Sequence, residues 1–302
     1  MSELAVRTLF ALVAAPVALW VVLAGGAPLA ALLAIVSAIG AWEFYRIARG
    51  TGATPLGDAG IAIAGLVPLA IHASYLGVFT VPPALAALVV LVLLAASIWL
   101  RGVDGRPLAA VSTTLLGIVY TAGMLGFGYA IRYHDTVRGY DEVAARHLGA
   151  GALAIRIAPG AALLIFPLVI TWASDIGAYF VGRAVGGRKL LPSVSPAKTV
   201  SGAVGGLVAS MIVAWLYARY VLVPVASLGF TPWGALLFGA LISVAAQVGD
   251  LFESLLKREG GVKDSSRILP GHGGILDRFD SLIFVLPVAY LLLGWLPLPV
   301  FR

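Results

Sequence analysis

Apolar runs about as long as a bilayer is thick recur along this chain from its first residues to its last, and few folds can absorb them. A helix needs roughly 20 apolar residues to cross the hydrocarbon core. Segments of that kind fall at about 8–24, 27–48, 59–78, 83–100, 110–131, 160–182, 202–222, 232–256 and 280–298. In lipid every backbone N–H and C=O must be satisfied inside the protein, so such runs predict helices rather than open sheets. Only 11% of the 302 residues are charged and 61% are hydrophobic, against roughly 25% charged in soluble domains. A water-facing surface cannot be built from that supply. The expected fold is therefore all-α: a polytopic membrane protein with about nine transmembrane helices. It forms one integral membrane domain over 1–302, with 1–159 mainly scaffold and 160–302 the catalytic helices and loops.

An odd number of spans puts the termini on opposite sides. With the N-terminus in the cytoplasm, fourteen of the twenty Lys and Arg residues fall on the cytoplasmic side, as the positive-inside rule requires. Arg7 ahead of an apolar stretch, with Ala24-Gly25-Gly26-Ala27 after it, also fits a signal peptide, a competing reading of the first segment. The longest polar connection, 132–159, reads as a solvated extracytoplasmic loop with a short surface helix at 140–149. The sequence contains no cysteine, so disulfides, thiolate metal sites and a lipidated Cys are ruled out.

Charge is sparse up to residue 170 and then gathers in two loops on the cytoplasmic side. The first, Gly182 to Thr199, mixes glycines, four cations and hydroxyls. Glycine lets backbone approach a phosphate, and cations neutralise it. Ser195-Pro196 reads as an N-cap followed by Pro at the first helical position, which would put Lys198 and Thr199 in the first turn of the seventh helix. Asp175 lies inside the sixth apolar segment, about 10 Å from its end at 1.5 Å per residue. A carboxylate at that depth requires a cation, water or hydrogen-bonding neighbours.

The second loop lies in GDLFESLLKREGGVKDSSRILPGHGGILDRFDS, residues 249–281. Asp250, Glu253, Ser254 and Lys257 share one helical face, and that face is expected to point into the bundle. Arg258, Lys263 and Arg267 follow, then Pro270-Gly271-His272-Gly273-Gly274, then Asp277, Arg278 and Asp280. Carboxylates of this kind can hold Mg²⁺, which takes one or two of them together with waters and substrate phosphates. Lys, Arg and loop amides can carry the remaining phosphate charge. Zinc is disfavoured, because there is no Cys and His272 has no second His beside it.

These residues resemble a known signature. The pattern S-x-x-K-R, K-D and P-x-H-G-G-x-x-D-R-x-D is similar to that of the phosphatidate cytidylyltransferase family over about 27 residues, with a dozen specified positions filled from Ser254 to Asp280. Upstream, Asp175, Gly177, Tyr179, Gly182 and Ser195-Pro196-x-Lys198-Thr199 also look like that family, whereas the N-terminal half offers hydrophobicity alone. The resemblance implies that the phosphate of phosphatidic acid attacks the α-phosphorus of CTP, giving CDP-diacylglycerol and pyrophosphate at a site facing the cytoplasm. It also implies Mg²⁺, with K⁺ beside it.

The expected metal ligands are Asp250 and Asp277, with Asp280 and Asp175 as further ligands or supporting groups. Lys198, Lys257, Arg258, Lys263 and Arg278 are expected on substrate phosphates, and Asp264 and His272 in loop organisation or nucleotide contact. Ser195, Thr199, Gly273 and Gly274 complete the expected substrate-binding set. A bacterial-type inner membrane is the expected location, the lipid bilayer the expected partner, nucleic acid is not expected, and a symmetric homodimer is the default assembly. The rival readings are another lipid-phosphate or polyprenol nucleotidyl- or phosphotransferase, and a transporter using Asp175 and Asp250.

Overall fold

The computed structural model describes residues 3–78, 80–137 and 159–299. The surface helix expected at 140–149 lies outside them. In chain order the helices are α1 (Glu3–Ala24), α2 (Gly26–Gly50), α3 (Gly57–Tyr75), α4 (Pro83–Leu100), α5 (Pro107–Ile118), α6 (Phe127–Arg132), α7 (Pro159–Val185), α8 (Val200–Tyr217), α9 (Pro232–Glu259) and α10 (Leu276–Leu293). Two short antiparallel pairs join them: β1 (Lys189–Leu191) with β2 (Ser195–Thr199), and β3 (Leu228–Gly229) with β4 (Leu298–Pro299).

Among the described residues, seven helical stretches are long and apolar enough to cross a membrane: 26–50, 57–75, 83–100, 107–137, 159–185, 200–226 and 232–259. The first and last of the nine expected segments are helical without reaching that mark. In α1 the apolar helical stretch among the described residues is Leu12–Ala24, and α10 opens on Asp277, Arg278 and Asp280. Two expected spans are not continuous α-helix. The stretch after α5 passes through a π-turn at Val119–Gly123, and α8 runs into another at Ala218–Leu222. At the first, the Thr121 hydroxyl donates to the Gly117 carbonyl at 2.8 Å and so competes with the backbone ladder.

The chain packs as two compact units, Met1–Tyr129 with Leu255–Phe279, and Ala130–Ser254 with Asp280–Arg302. The segment after Leu255 packs with the N-terminal helices. In the first unit α2 is central, lying against α3, α5 and the π-turn. The buried ring of Tyr45 fills space that only glycine leaves free at Gly60 and Gly117, and its hydroxyl donates to the Thr114 carbonyl at 2.7 Å. Gly50 and Gly260 meet backbone to backbone, and this brings the end of α2 against the start of the signature loop.

In the second unit α7 and α8 are in contact through small residues. Gly177 faces Gly205 and Ala209, Gly205 faces Val181, Gly206 faces Ser174, and Gly182 faces Gly202. Close backbone approach of this kind is how helices associate where lipid offers no hydrophobic contrast. α9 joins them through stacked rings of Phe166 and Phe238, 4.5 Å apart, and through Gly239 against Ser210 and Met211. Gly249 of α9 rests on the backbone of Asp280 and Ser281 in α10.

The expected helix start at Ser195-Pro196 is corrected. Residues 195–199 form β2, paired with β1 in the register Lys189↔Thr199 and Leu191↔Ser195. The N-cap is Thr199, which is extended at φ −119° and ψ 155° and whose hydroxyl accepts from the Gly202 amide at 3.1 Å. Lys198 is thus a strand residue one position ahead of the cap. A tight turn at Gly186 and Gly187, with φ of 64° and 95°, delivers the chain from α7 into the hairpin, and this is a conformation glycine adopts without strain.

Candidate active site

Within the second unit, the end of α7, the hairpin, the start of α8 and the middle of α9 enclose a cavity of about 550 Å³, in the size range of small-molecule sites. Asp175, Arg183, Lys189, Lys198, Gln247 and Asp250 contribute its polar side chains, and the Gly182, Gly186 and Gly187 backbone contributes to its wall. The Lys198 ammonium lies 2.5 Å from Asp250 Oδ2, with side chains 27% and 34% exposed. Both side chains line the cavity, although the Lys198 nitrogen itself is buried.

A polar ladder behind Asp250 holds α9 in place. Gln247 Nε2 donates to the Ala203 carbonyl at 3.2 Å and to Ser243 Oγ at 3.0 Å, and Ser243 meets Ser174 of α7 at 2.8 Å. Ser254 Oγ stands 3.5 Å from Asp250 Oδ1. Thr199 reaches the cavity wall, with its hydroxyl committed to capping α8. Ser195 is not among the lining residues; it sits on β2 opposite Leu191. Asp280 accepts from the Ser281 amide at 2.6 Å and lies outside the lining.

The signature loop belongs to the first unit and is organised around two carboxylates. Asp277 takes Lys257 Nζ on Oδ1 at 2.7 Å. Its Oδ2 takes the Ser265 amide at 2.9 Å, the Ser265 hydroxyl at 2.9 Å and the Gly274 amide at 2.8 Å. Asp277 precedes the apolar part of α10. Burial there opposes ionisation, but hydrogen bonds from Lys257 and Gly274, the Lys257 charge and the Ser265 hydrogen bond outweigh it and hold the carboxyl below the usual carboxylate range.

The second carboxylate is Glu43 of α2, fully buried. It accepts from both Ser265 and Ser266 hydroxyls and from the Ile275 and Leu276 amides. Sequence reasoning missed it. The signal was available, since Glu43 stands inside an apolar span and the argument applied to Asp175 applies equally to it. The loop glycines follow from this packing. Gly273 has φ 80°, and a Cβ on Gly274 would fall on Ser265 Oγ and the Glu43 carboxylate.

The expected residues thus fall into groups. Asp175, Lys198, Thr199 and Asp250 share the cavity. Lys257, Asp277, Gly273 and Gly274 belong to the internal bonding of the loop. Arg258, Lys263, Asp264 and Arg278 are exposed on it, and His272 is partly exposed with Nδ1 3.2 Å from the Pro270 carbonyl. Arg183 and Gln247 join the cavity without having been singled out as site residues.

Helices long and apolar enough to span a bilayer, around a cavity that carries both cations and carboxylates, define a membrane-embedded protein with a charged pocket. The model of the cytidylyltransferase family matches residues 5–296, and the chain belongs to that family. It is 47% identical over 135 residues to the phosphatidate cytidylyltransferase of Bacillus subtilis, covering 45% of this chain and 48% of that protein. Against the Staphylococcus haemolyticus protein of the same name it is 37% identical over 220 residues, covering 72% of this chain and 78% of the relative. The Brucella suis protein of that name is 39% identical over 183 residues, 58% of this chain and 66% of the relative. The chain thus spans about half the length of the first of these relatives in the matched region.

Proposed function

We propose that this protein is a phosphatidate cytidylyltransferase. A phosphate oxygen of phosphatidic acid bonds to the α-phosphorus of CTP, the bond from that phosphorus to the β-phosphate oxygen breaks, and pyrophosphate leaves with the electron pair. The observation that carries this reading is the meeting of Asp175, Lys198 and Asp250 in one cavity of a chain that belongs to the cytidylyltransferase family. No side-chain nucleophile is needed, because the lipid phosphate is itself the nucleophile.

Mg²⁺ fits the donor set. Among the described residues no group of three or more His, Asp or Glu side chains is arranged to hold an ion by itself. Two carboxylates in a cavity are what Mg²⁺ ordinarily takes from a protein when substrate phosphates and water complete its shell. Asp175 and Asp250 would hold it, and when bound it would offset the negative charge of the triphosphate. Lys198 has three N–H donors and Asp250 engages it at one contact; its nitrogen is otherwise buried, and a turn of the side chain into the cavity would bring the remaining donors to phosphate oxygens. Arg183 and Lys189 supply further positive charge to the cavity. The exposed Arg258, Lys263, Asp264, His272 and Arg278 are proposed to meet the anionic substrates from the signature loop. Asp277 and Lys257 are assigned to holding that loop in shape.

The purified protein incubated with radiolabelled CTP, phosphatidic acid and Mg²⁺ should yield labelled lipid in the organic phase. Label appearing only with a polyprenyl acceptor would move the protein to another lipid substrate, and no labelled lipid at all would remove the assignment.

We also propose nine spans in an inner membrane, with a cytoplasmic N-terminus. Because the chain has no native Cys, Ser193→Cys and Arg267→Cys, both at exposed positions, can be probed without background. Each should resist a membrane-impermeant thiol reagent in intact cells and react after permeabilisation. Labelling of either from outside would reverse or break this topology.

A further inference from the structure

We propose that Glu43 is a positioning residue of the transfer reaction, its buried carboxylate fixing the shape of the signature loop; this rests on the function proposed above. A carboxylate offers two oxygens and about four acceptor sites, and four donor groups surround Glu43, of which the single Ser265 hydroxyl hydrogen is shared with Asp277. Oε1 takes Ser266 Oγ at 2.5 Å and the Ile275 amide at 2.9 Å; Oε2 takes Ser265 Oγ at 3.0 Å and the Leu276 amide at 2.7 Å. One side chain of α2 thereby ties together two points of the loop ten residues apart in sequence, Ser265–Ser266 and Ile275–Leu276. Lys263 and Asp264 immediately precede the first point, and Arg278 follows the second by two residues. The backbone beside these charged side chains is thus set by Glu43. The Leu276 amide is also the first of α10 and Ile275 immediately precedes it, a position where the helix dipole favours a negative group.

Glutamine is the informative replacement, because it keeps the volume and one acceptor but turns the other into a donor. Flipping the amide cannot help, since a backbone N–H faces each of the two oxygens. Hydroxyls can rotate away from a new donor, whereas backbone amides cannot.

The test is Glu43→Gln in the full-length protein, read by steady-state kinetics and by hydrogen exchange over 265–276. Loss of positioning should lower kcat by about a hundredfold, a larger factor than any rise in KM for CTP, because misplaced cations lose most where charge develops in the transition state. In the same variant the Ile275 and Leu276 amides should exchange at least about tenfold faster, since a local bond that protects them is gone. Full turnover in Glu43→Gln beside an active wild type would overturn the positioning role, and unchanged exchange would overturn the clamp itself. If Glu43→Gln does not fold, Ser266→Ala carries the test. It removes one donor and should shift kcat and exchange in the same directions by a smaller factor, and no shift in either overturns the proposal. An inactive wild type would instead sink the cytidylyltransferase reading, whatever the exchange arm shows.

Discussion

Asp250→Asn is expected to lower turnover by at least about 10²-fold, which corresponds to about 3 kcal/mol of lost transition-state stabilisation. Asparagine keeps the volume of the side chain and removes its charge. Two consequences follow in the cavity. One of the two carboxylates available to a divalent cation is gone, and Lys198 loses the anion that lies 2.5 Å from it. The cavity then carries more net positive charge, so CTP binding should hold or tighten even as turnover collapses. That combination of reduced kcat with an unraised KM is the mark of an interaction serving the transition state. Initial rates on purified protein, with CTP varied at saturating lipid and Mg²⁺, provide the measurement. Full turnover under those conditions would make Asp250 a structural partner of Lys198 and nothing more.

Asp277→Asn should act on stability as well as on rate. The Asp277 carboxylate receives Lys257 Nζ, two backbone amides and one hydroxyl, and the Lys257 and Asp277 side chains are 15% and 7% exposed. Removing one partner of a buried ion pair costs about 3–5 kcal/mol, because the other charge is left without compensation. Here the replacement amide would also present N–H groups to existing donors. A clear drop in Tm in detergent is therefore expected for Asp277→Asn, larger than for Lys257→Met, which leaves Asp277 with its three other donors. If Tm were unchanged while turnover fell, Asp277 would be a metal ligand, as the sequence first suggested, rather than the organiser of the loop.

The sequence was readable where a local rule settles the outcome. α4 appears at Pro83–Leu100 as expected, because its run is uniformly apolar and Pro83 sets the start. Asp175 and Asp250 stand out in the sequence because charge in an apolar span requires a partner, and the two line one cavity. What was not readable depended on a partner distant in sequence or on fine backbone geometry. Ser195-Pro196 has the chemistry of a helix start, and nothing within 195–199 reveals that Lys189 will pair with Thr199 as a strand. Asp277 has the chemistry of a metal ligand, and its four donors appear only once Ser265, Gly274 and Lys257 are brought to it. Glu43 lies more than two hundred residues from the groups it binds. The π-turns at Val119–Gly123 and Ala218–Leu222 leave no imprint on hydropathy at all.

The glycines shared by α7 and α8 act as a gauge for the cavity in front of them. Asp175 is carried by α7, and Lys198 is tied to α8 through the strand that ends at its cap. The gap between these two side chains is therefore inherited from the separation of the helix backbones at Gly177, Gly182, Gly202 and Gly205. At each of these positions an added methyl group would strike a neighbour across the helix pair. Even alanine would wedge the helices apart, and it would widen the cavity without altering any residue that lines it at Gly177 or Gly205. Reach toward a substrate can be adjusted gradually by lengthening or shortening a side chain, but a spacing set by hydrogen atoms alone has no smaller step to take. This wall of the site is consequently built to one width.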